Sequence, residues 1–371
     1  MATNKRNPGM DIVRCICVFL VIFAHGLLNI GFYAEPINNF KTAILVYPRS
    51  LCMAIVPLFL MISGYFIKTS APSIKYYTRI FKIYITYVLA GTVCFLCRIF
   101  VLHEHHTIMN LFRTILSFEA APYAWYIHMY VGLFLLIPFL NSMFNGLQKQ
   151  ARQVLIVSLM VMTVLPPVTN IYNLTSIHWW LQPSSLHQFQ QLIPAWWVDI
   201  YPLTYFFIGS YLREHPLKCK QSTKLLLFLG ANFLAGTNNI YRSYPDIFVW
   251  GWWAEVESLF TLLQAIPLFS LFQGMNFDSM KPRACRIWQW LSELVLGAYL
   301  VSWAPEQVFA PMLNARYSTF QEKLPFLLPL VLLVLVSSFV LSWLISLLAG
   351  VLNRWAVAIF LKIFDRNAAK A

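Results

Sequence analysis

The stretch Met10-Asp11-Ile12-Val13-Arg14-Cys15-Ile16-Cys17-Val18-Phe19-Leu20-Val21-Ile22-Phe23-Ala24-His25-Gly26 is an apolar run carrying three ionisable groups. Continued to residue 33, it exceeds the roughly 20 residues that a helix needs to cross a hydrocarbon core of about 30 Å. Its length and internal polar groups read as a retained span, not a cleaved leader. At 100° per residue, Arg14 and His25 fall within about 20° of one face, and Asp11 lies about 40° from His25 on that side. His25 stands about 16 Å beyond Arg14 along the axis, near mid-membrane. Asp11 and Arg14 are one turn apart and are expected to pair at the cytoplasmic mouth. Ionisable groups inside a span are costly, and they mark functional cavities.

The rest of the chain repeats the apolar theme. Of 371 residues, 59% are apolar and 11% charged, against about a quarter charged in an ordinary soluble domain. Lipid is the remaining solvent. The short alternating runs of a barrel are missing. Hydropathy places about ten helices, near 12–33, 43–67, 80–102, 123–144, 152–171, 196–212, 224–240, 254–274, 287–309 and 325–351. The expected fold is all-α: a polytopic integral membrane bundle forming one domain over 1–371, with its core at about 10–351 and a basic tail at 352–371.

The net charge of +13 raises nucleic acid as a partner, but its distribution argues otherwise. With the N-terminus in the cytoplasm, the cytoplasmic side receives 20 of the 27 Lys and Arg residues, beginning with Lys5, Arg6, Arg14, Lys68, Lys75, Arg79 and Lys82. The opposite side receives Lys41, Arg113, Arg242, Arg316 and Lys323, while Arg49 and Arg98 fall inside spans. This is the positive-inside pattern, with both termini cytoplasmic. No nucleic-acid partner is expected. None of the seven cysteines lies in an expected outer loop, so no disulfide framework is expected. Cys94-x-x-Cys97 sits inside an apolar helix and reads as small hydrophobes; no metal is expected.

Other polar groups fall in or beside spans. The second helix carries Arg49, near enough to its outer end to snorkel. A kink is expected at Pro57, and Ser63-Gly64 permits close backbone approach. Arg79 and Lys82 open the third helix one turn apart, suited either to lipid headgroups or to the phosphates of an anionic cosubstrate. Glu255, Glu257, Glu293 and Tyr299 are further candidates for lining a site. Trp179, Trp180, Trp196, Trp197, Trp250, Trp252 and Trp253 fall at the expected outer interface. They read as an aromatic belt or as a platform for stacking sugar rings.

Asp11-x-x-Arg14 followed by ten residues and then His25 resembles the opening of the membrane-bound acyltransferase 3 family. The likeness continues through Val56-Pro57-Leu58-Phe59 to Ile62-Ser63-Gly64-Tyr65, and through Arg79-x-x-Lys82, where Lys replaces the commoner second Arg. It includes Ala124-Trp125-Tyr126, Tyr205-Phe206-Phe207-Ile208-Gly209 and Leu296-Gly297-Ala298-Tyr299-Leu300, running from about residue 10 to about residue 303. Ser302 stands where many members have a His. The resemblance implies transfer of an acyl group, usually acetyl, from cytoplasmic acyl-CoA to a hydroxyl of a cell-surface or lipid-linked glycan. It implies His25 as the base, with Arg14 and Asp11 organising the mouth. Arg79 and Lys82 would hold the CoA phosphates, with Ser63 on the donor side, and Arg49, Trp125, Tyr126, Tyr299 and Glu257 would serve the acceptor. Arg14, Ser63 and a backbone amide stay open as stabilisers of the oxyanion. The expected location is the inner (plasma) membrane of a bacterium. The competing reading is a transporter with His25 as a proton relay; duplicated halves, common among transporters, are not evident.

Overall fold

The computed structural model describes residues 7–67, 71–182 and 189–368. Lys5, Arg6, Lys68 and the last three residues of the basic tail lie outside them. The regular structure of the described residues is helical, with no strand beyond an isolated bridge between Pro36 and Ile247. The long helices are α1 (Pro8–Asn29), α2 (Phe40–Cys52), α3 (Ile55–Ile67), α4 (Arg79–Phe100), α5 (Trp125–Gly146) and α6 (Lys149–Thr163). They continue as α7 (Tyr201–Glu214), α8 (Gln221–Ser243), α9 (Leu259–Gln273), α10 (Pro282–Val301), α11 (Trp303–Arg316) and α12 (Leu327–Ala368).

Each of the ten expected segments carries helix, but six stretches of the described chain are long and apolar enough to cross a membrane. These are Pro8–Asn29, Phe40–Ile67, Ile74–Phe100, Trp125–Gly146, Trp252–Gln273 and Phe320–Ile363. The other four carry helices that are shorter, more polar or divided. At 1.5 Å per residue, α6 and α7, with 15 and 14 residues, are about 21–23 Å long. Helix α8 is longer but carries Lys224, Asn232, Asn238, Asn239 and Arg242. The ninth segment, at 287–309, is divided at Ser302 into α10 and α11. The described part of the expected tail, 352–368, is helical, since α12 runs unbroken to Ala368.

The kink expected at Pro57 is a full break one turn earlier, between Cys52 and Ile55. Proline has no N–H to offer the carbonyl four residues back, and its ring crowds that carbonyl. For Pro57 the affected residue is Met53, which is where the helix stops.

The chain divides into two compact units. The first comprises Met1–Thr69, Ser142–Gln289 and Thr319–Leu327. Its centre is the crossing of α3 and α7, where a Cβ on Gly64 would sit 1.9 Å from the Phe206 carbonyl oxygen and one on Gly209 would sit 2.0 Å from that of Met61. Ser210 closes the crossing by donating to the Gly64 carbonyl at 3.1 Å. Helix α2 lies on α8, where Tyr47 covers Gly236 and Asn239 donates to Ser50 at 2.9 Å. Helix α8 is tied to α9 by the buried Lys224 ammonium, which donates to the Ser270 carbonyl at 3.2 Å. The start of α1 is pinned to the end of α9: Gly9 abuts the Phe272 carbonyl, and Asn7 both caps α1 and donates to the Gln273 carbonyl.

The second unit comprises Ser70–Asn141, Trp290–Ser318 and Leu328–Ala371. Here Cys94 and Cys97 of α4 face the Leu300 and Ala304 carbonyls at 3.7 and 3.6 Å. Gly297 of α10 receives Ser342 of α12, whose hydroxyl donates to the Leu294 carbonyl. After α4, Glu104 accepts from His106 at 2.6 Å and pairs with Arg98 at 3.5 Å. His106 first, and then Arg98, hold its carboxyl below the usual range. A depressed carboxylate contributes stability above its unfolded value, about pH 4.3, and loses it as pH falls through the folded value. Protection of the amides in 101–107, taken relative to their intrinsic exchange rates at each pH, is therefore expected to fall at the acid side of that window. Glu104→Gln removes the pH dependence if this pairing is its source.

Candidate active site

In the first unit, α1 carries the polar stripe. Asn7 accepts from the Gly9 amide at 2.9 Å and Pro8 sets the first turn, so Asp11 falls near the helix N-terminus, where a carboxylate is favoured. Asp11 is 2% exposed and pairs with Arg14 at 3.9 Å. Arg14 lies over the Phe66 ring at 5.0 Å. That ring is edge-to-face with Tyr65, whose carbonyl accepts from Arg213 at 2.7 Å and whose face meets the same guanidinium. The end of α3 is thus held between two arginines. Arg213 was legible only as one of the topology cations; nothing in its neighbourhood in sequence marks it as a companion of Arg14.

His25 is half-buried. Because α1 runs from Pro8 to Asn29, His25 sits about one turn from its C-terminal end, displaced from the middle expected for a helix over 12–33. Ser63 donates to the Phe59 carbonyl one turn back at 2.9 Å, which commits its proton and leaves its lone pairs.

Arg49 does not snorkel. It is fully buried, donating to the Ala254 carbonyl at 2.9 Å and to the Tyr33 hydroxyl at 3.4 Å. The Phe248 and Trp250 rings lie at 4.3 and 4.7 Å from its guanidinium carbon. Aromatic faces satisfy a cation that would otherwise reach for water. Its Nη2 has no hydrogen-bond partner among the described residues. Glu257 is half-buried and sits one residue before Ser258, whose side chain caps α9 by accepting from the Phe260 amide.

In the second unit, Arg79 and Lys82 are exposed at the start of α4, one turn apart, with Arg79 over Tyr76 at 5.8 Å. Tyr126 meets Tyr299 edge-to-face at 6.3 Å, and Trp125 adjoins Tyr126 and is 50% exposed. Three expected acceptor residues are therefore neighbours. Tyr299 donates to the Tyr123 carbonyl, and the Tyr123 hydroxyl donates to Glu306 at 2.5 Å. Glu306 is buried on α11, one turn after Ser302, and sequence reasoning missed it.

A family profile described as an acyltransferase domain matches residues 7–347. The chain belongs to the acyltransferase 3 family. Membership makes it a membrane acyltransferase of a kind that acts on carbohydrates. No curated protein and no solved structure matches it significantly. The match begins at the α1 cap and ends inside α12, so it takes in every site residue named above. Within this acyltransferase the α1 stripe joins a buried carboxylate, a guanidinium and an imidazole on one rigid element.

Proposed function

We propose that this acyltransferase is an O-acyltransferase, with acetyl as the expected group. It would move the group from cytoplasmic acyl-CoA to a hydroxyl of a cell-surface or lipid-linked glycan. The observation that carries the reading is the Asp11–Arg14 pair, 3.9 Å apart, on the same helix as His25. Donor and acceptor chemistry need a cationic entry for one substrate and a base for the other, and α1 supplies both along one axis.

In this reading His25 takes the proton of the acceptor hydroxyl as its oxygen attacks the thioester carbonyl carbon. The new C–O ester bond forms, the C–S bond breaks, and the proton leaves with the CoA sulfur. Asp11 fixes Arg14, and Arg14 stands ready for negative charge at the donor. Arg79 and Lys82, exposed and unburdened by a carboxylate on their own helix turn, hold CoA phosphates. Trp125, Tyr126 and Tyr299 offer ring faces, and Arg49, Ser63 and Glu257 offer polar groups. Ten crossings of a bacterial inner membrane, both termini cytoplasmic, would place Arg79 and Lys82 on the side where CoA is made, as the positive-inside pattern supports.

Purified protein in lipid is expected to pass label from acetyl-CoA to a surface-glycan fraction; protein that hydrolyses or ignores the donor would sink the assignment. The paired change Arg79→Ala with Lys82→Ala is expected to weaken CoA binding about tenfold or more, since charge-assisted contacts to phosphate are lost. Binding of a short thioester lacking phosphates stays the same. A loss confined to the short thioester would overturn this role.

A further inference from the structure

Arg242 closes α8 and is 1% exposed, deep in the first unit. Three aromatic rings surround its guanidinium carbon: Trp253 at 4.2 Å, Trp179 at 5.2 Å and Phe189 at 5.3 Å. The cage is built by local hydrogen bonds. Asn170 accepts from the Leu192 and Ile193 amides and donates to the Ile193 carbonyl, folding that segment upon itself. The Trp179 indole then donates to the Ile171 carbonyl at 2.8 Å, and Arg242 Nη1 donates to the same oxygen at 3.3 Å. Both lone pairs of that carbonyl are used, so it has nothing left for the other guanidinium donors.

Two donors in the cage stay unanswered. Arg242 Nε and Trp253 Nε1 are buried and have no hydrogen-bond partner among the described residues. Both groups are donors only. Aromatic faces compensate a guanidinium from above and below, while its N–H bonds point outward in its own plane. No described carboxylate forms an ion pair with Arg242. Ring faces and one carbonyl are thus what offset its charge, in a low-dielectric setting where attraction to a negative group is strongest. A neutral hydroxyl would answer the donors but not the charge. Next to Trp253 in the chain, Ala254 gives its carbonyl to Arg49, which has its own unanswered Nη2.

We propose that Arg242 and Trp253 form an oxyanion-recognition site that reads a carboxylate or phosphate on the acceptor glycan. The proposal rests on the glycan-acyltransferase reading and adds the charge of its acceptor. A carboxylate would come from an acidic sugar and a phosphate from a lipid or phosphodiester linkage. Either supplies the acceptor oxygens that Arg242 Nε–H and Trp253 Nε1–H lack.

The test uses full-length protein in nanodiscs with three probes: glucose, glucuronic acid and glucose 1-phosphate. Binding is followed by calorimetry, and labelled acetyl transfer is followed separately. The wild-type protein is expected to bind one anionic probe about tenfold or more tightly than glucose, and the preferred probe names the source of the charge. Arg242→Gln brings the probes to parity. Trp253→Phe keeps the ring and removes the N–H, and lowers the preference severalfold; it decides the matter alone if the arginine variant does not fold. Equal binding of all three probes by the wild type, or a preference that survives both substitutions, overturns the proposal. Acetyl transfer to glucose without any charge preference would overturn it while sparing the acyltransferase reading. A charge preference without acetyl transfer to any acceptor would do the reverse.

Discussion

His25→Ala is expected to abolish acyl transfer while the protein still inserts and folds. A general base contributes about 10²–10⁴-fold to a rate, and alanine offers no group to take the proton. The structural cost is small for reasons visible around the site. His25 is half-buried on a 22-residue helix, and alanine is the best helix former. The packing of α1 rests on Met10, Val13, Cys17, Val18 and Leu27, all of them buried, and on the junction of Gly9 with the Phe272 carbonyl. The check is labelled acetyl transfer beside thermal unfolding of the same preparation. His25→Gln refines it, because glutamine keeps a hydrogen-bonding side chain without a titrating nitrogen. Full activity in either variant removes the base from the mechanism.

The second large effect falls on stability. Gly64→Val and Gly209→Val are each expected to cost at or above the upper end of the roughly 1–3 kcal/mol typical of overpacking. A Cβ at either position would overlap a backbone carbonyl oxygen of the facing helix, at 1.9 Å from Phe206 and 2.0 Å from Met61. Neither obstacle is a side chain that can swing away. Helices α3 and α7 would have to separate, and the Ser210 bond to the Gly64 carbonyl would go with them. Recovery of monodisperse protein and its unfolding temperature measure the loss. Wild-type stability in either variant would show that the crossing is looser than these distances require. By contrast, Gly132→Ala on α5 meets nothing within 4 Å and serves as the tolerant control.

The α1 stripe was legible because helical periodicity is a local property. Asp11 and Arg14 pair as one turn of helix demands, and the Arg79–Lys82 spacing likewise follows from the chain itself. Registers and breaks were less legible. A kink was expected at Pro57 within one helix, and a break occurs at Met53 and Ala54, because proline disturbs the turn behind it. Six of the ten expected spans coincide with long apolar stretches of the described chain, and the other four carry shorter or more polar helices, since hydropathy averaged over a window overlooks where a helix stops. Arg213 and Glu306 were invisible as site neighbours, because what marks them is contact with Tyr65 and Tyr123, remote in sequence.

The amino-acid sequence alone determined the solvent, the helical class, the family and the axis of α1, because composition and periodicity act through each residue and its near neighbours. The tertiary structure decided which cations are enclosed. Arg49 finds its carbonyl partner 205 residues away, and Arg242 meets Trp179 and Trp253 from separate segments. Whether an arginine reaches water or is walled in by rings depends on distant chain brought close, and no local pattern carries that information.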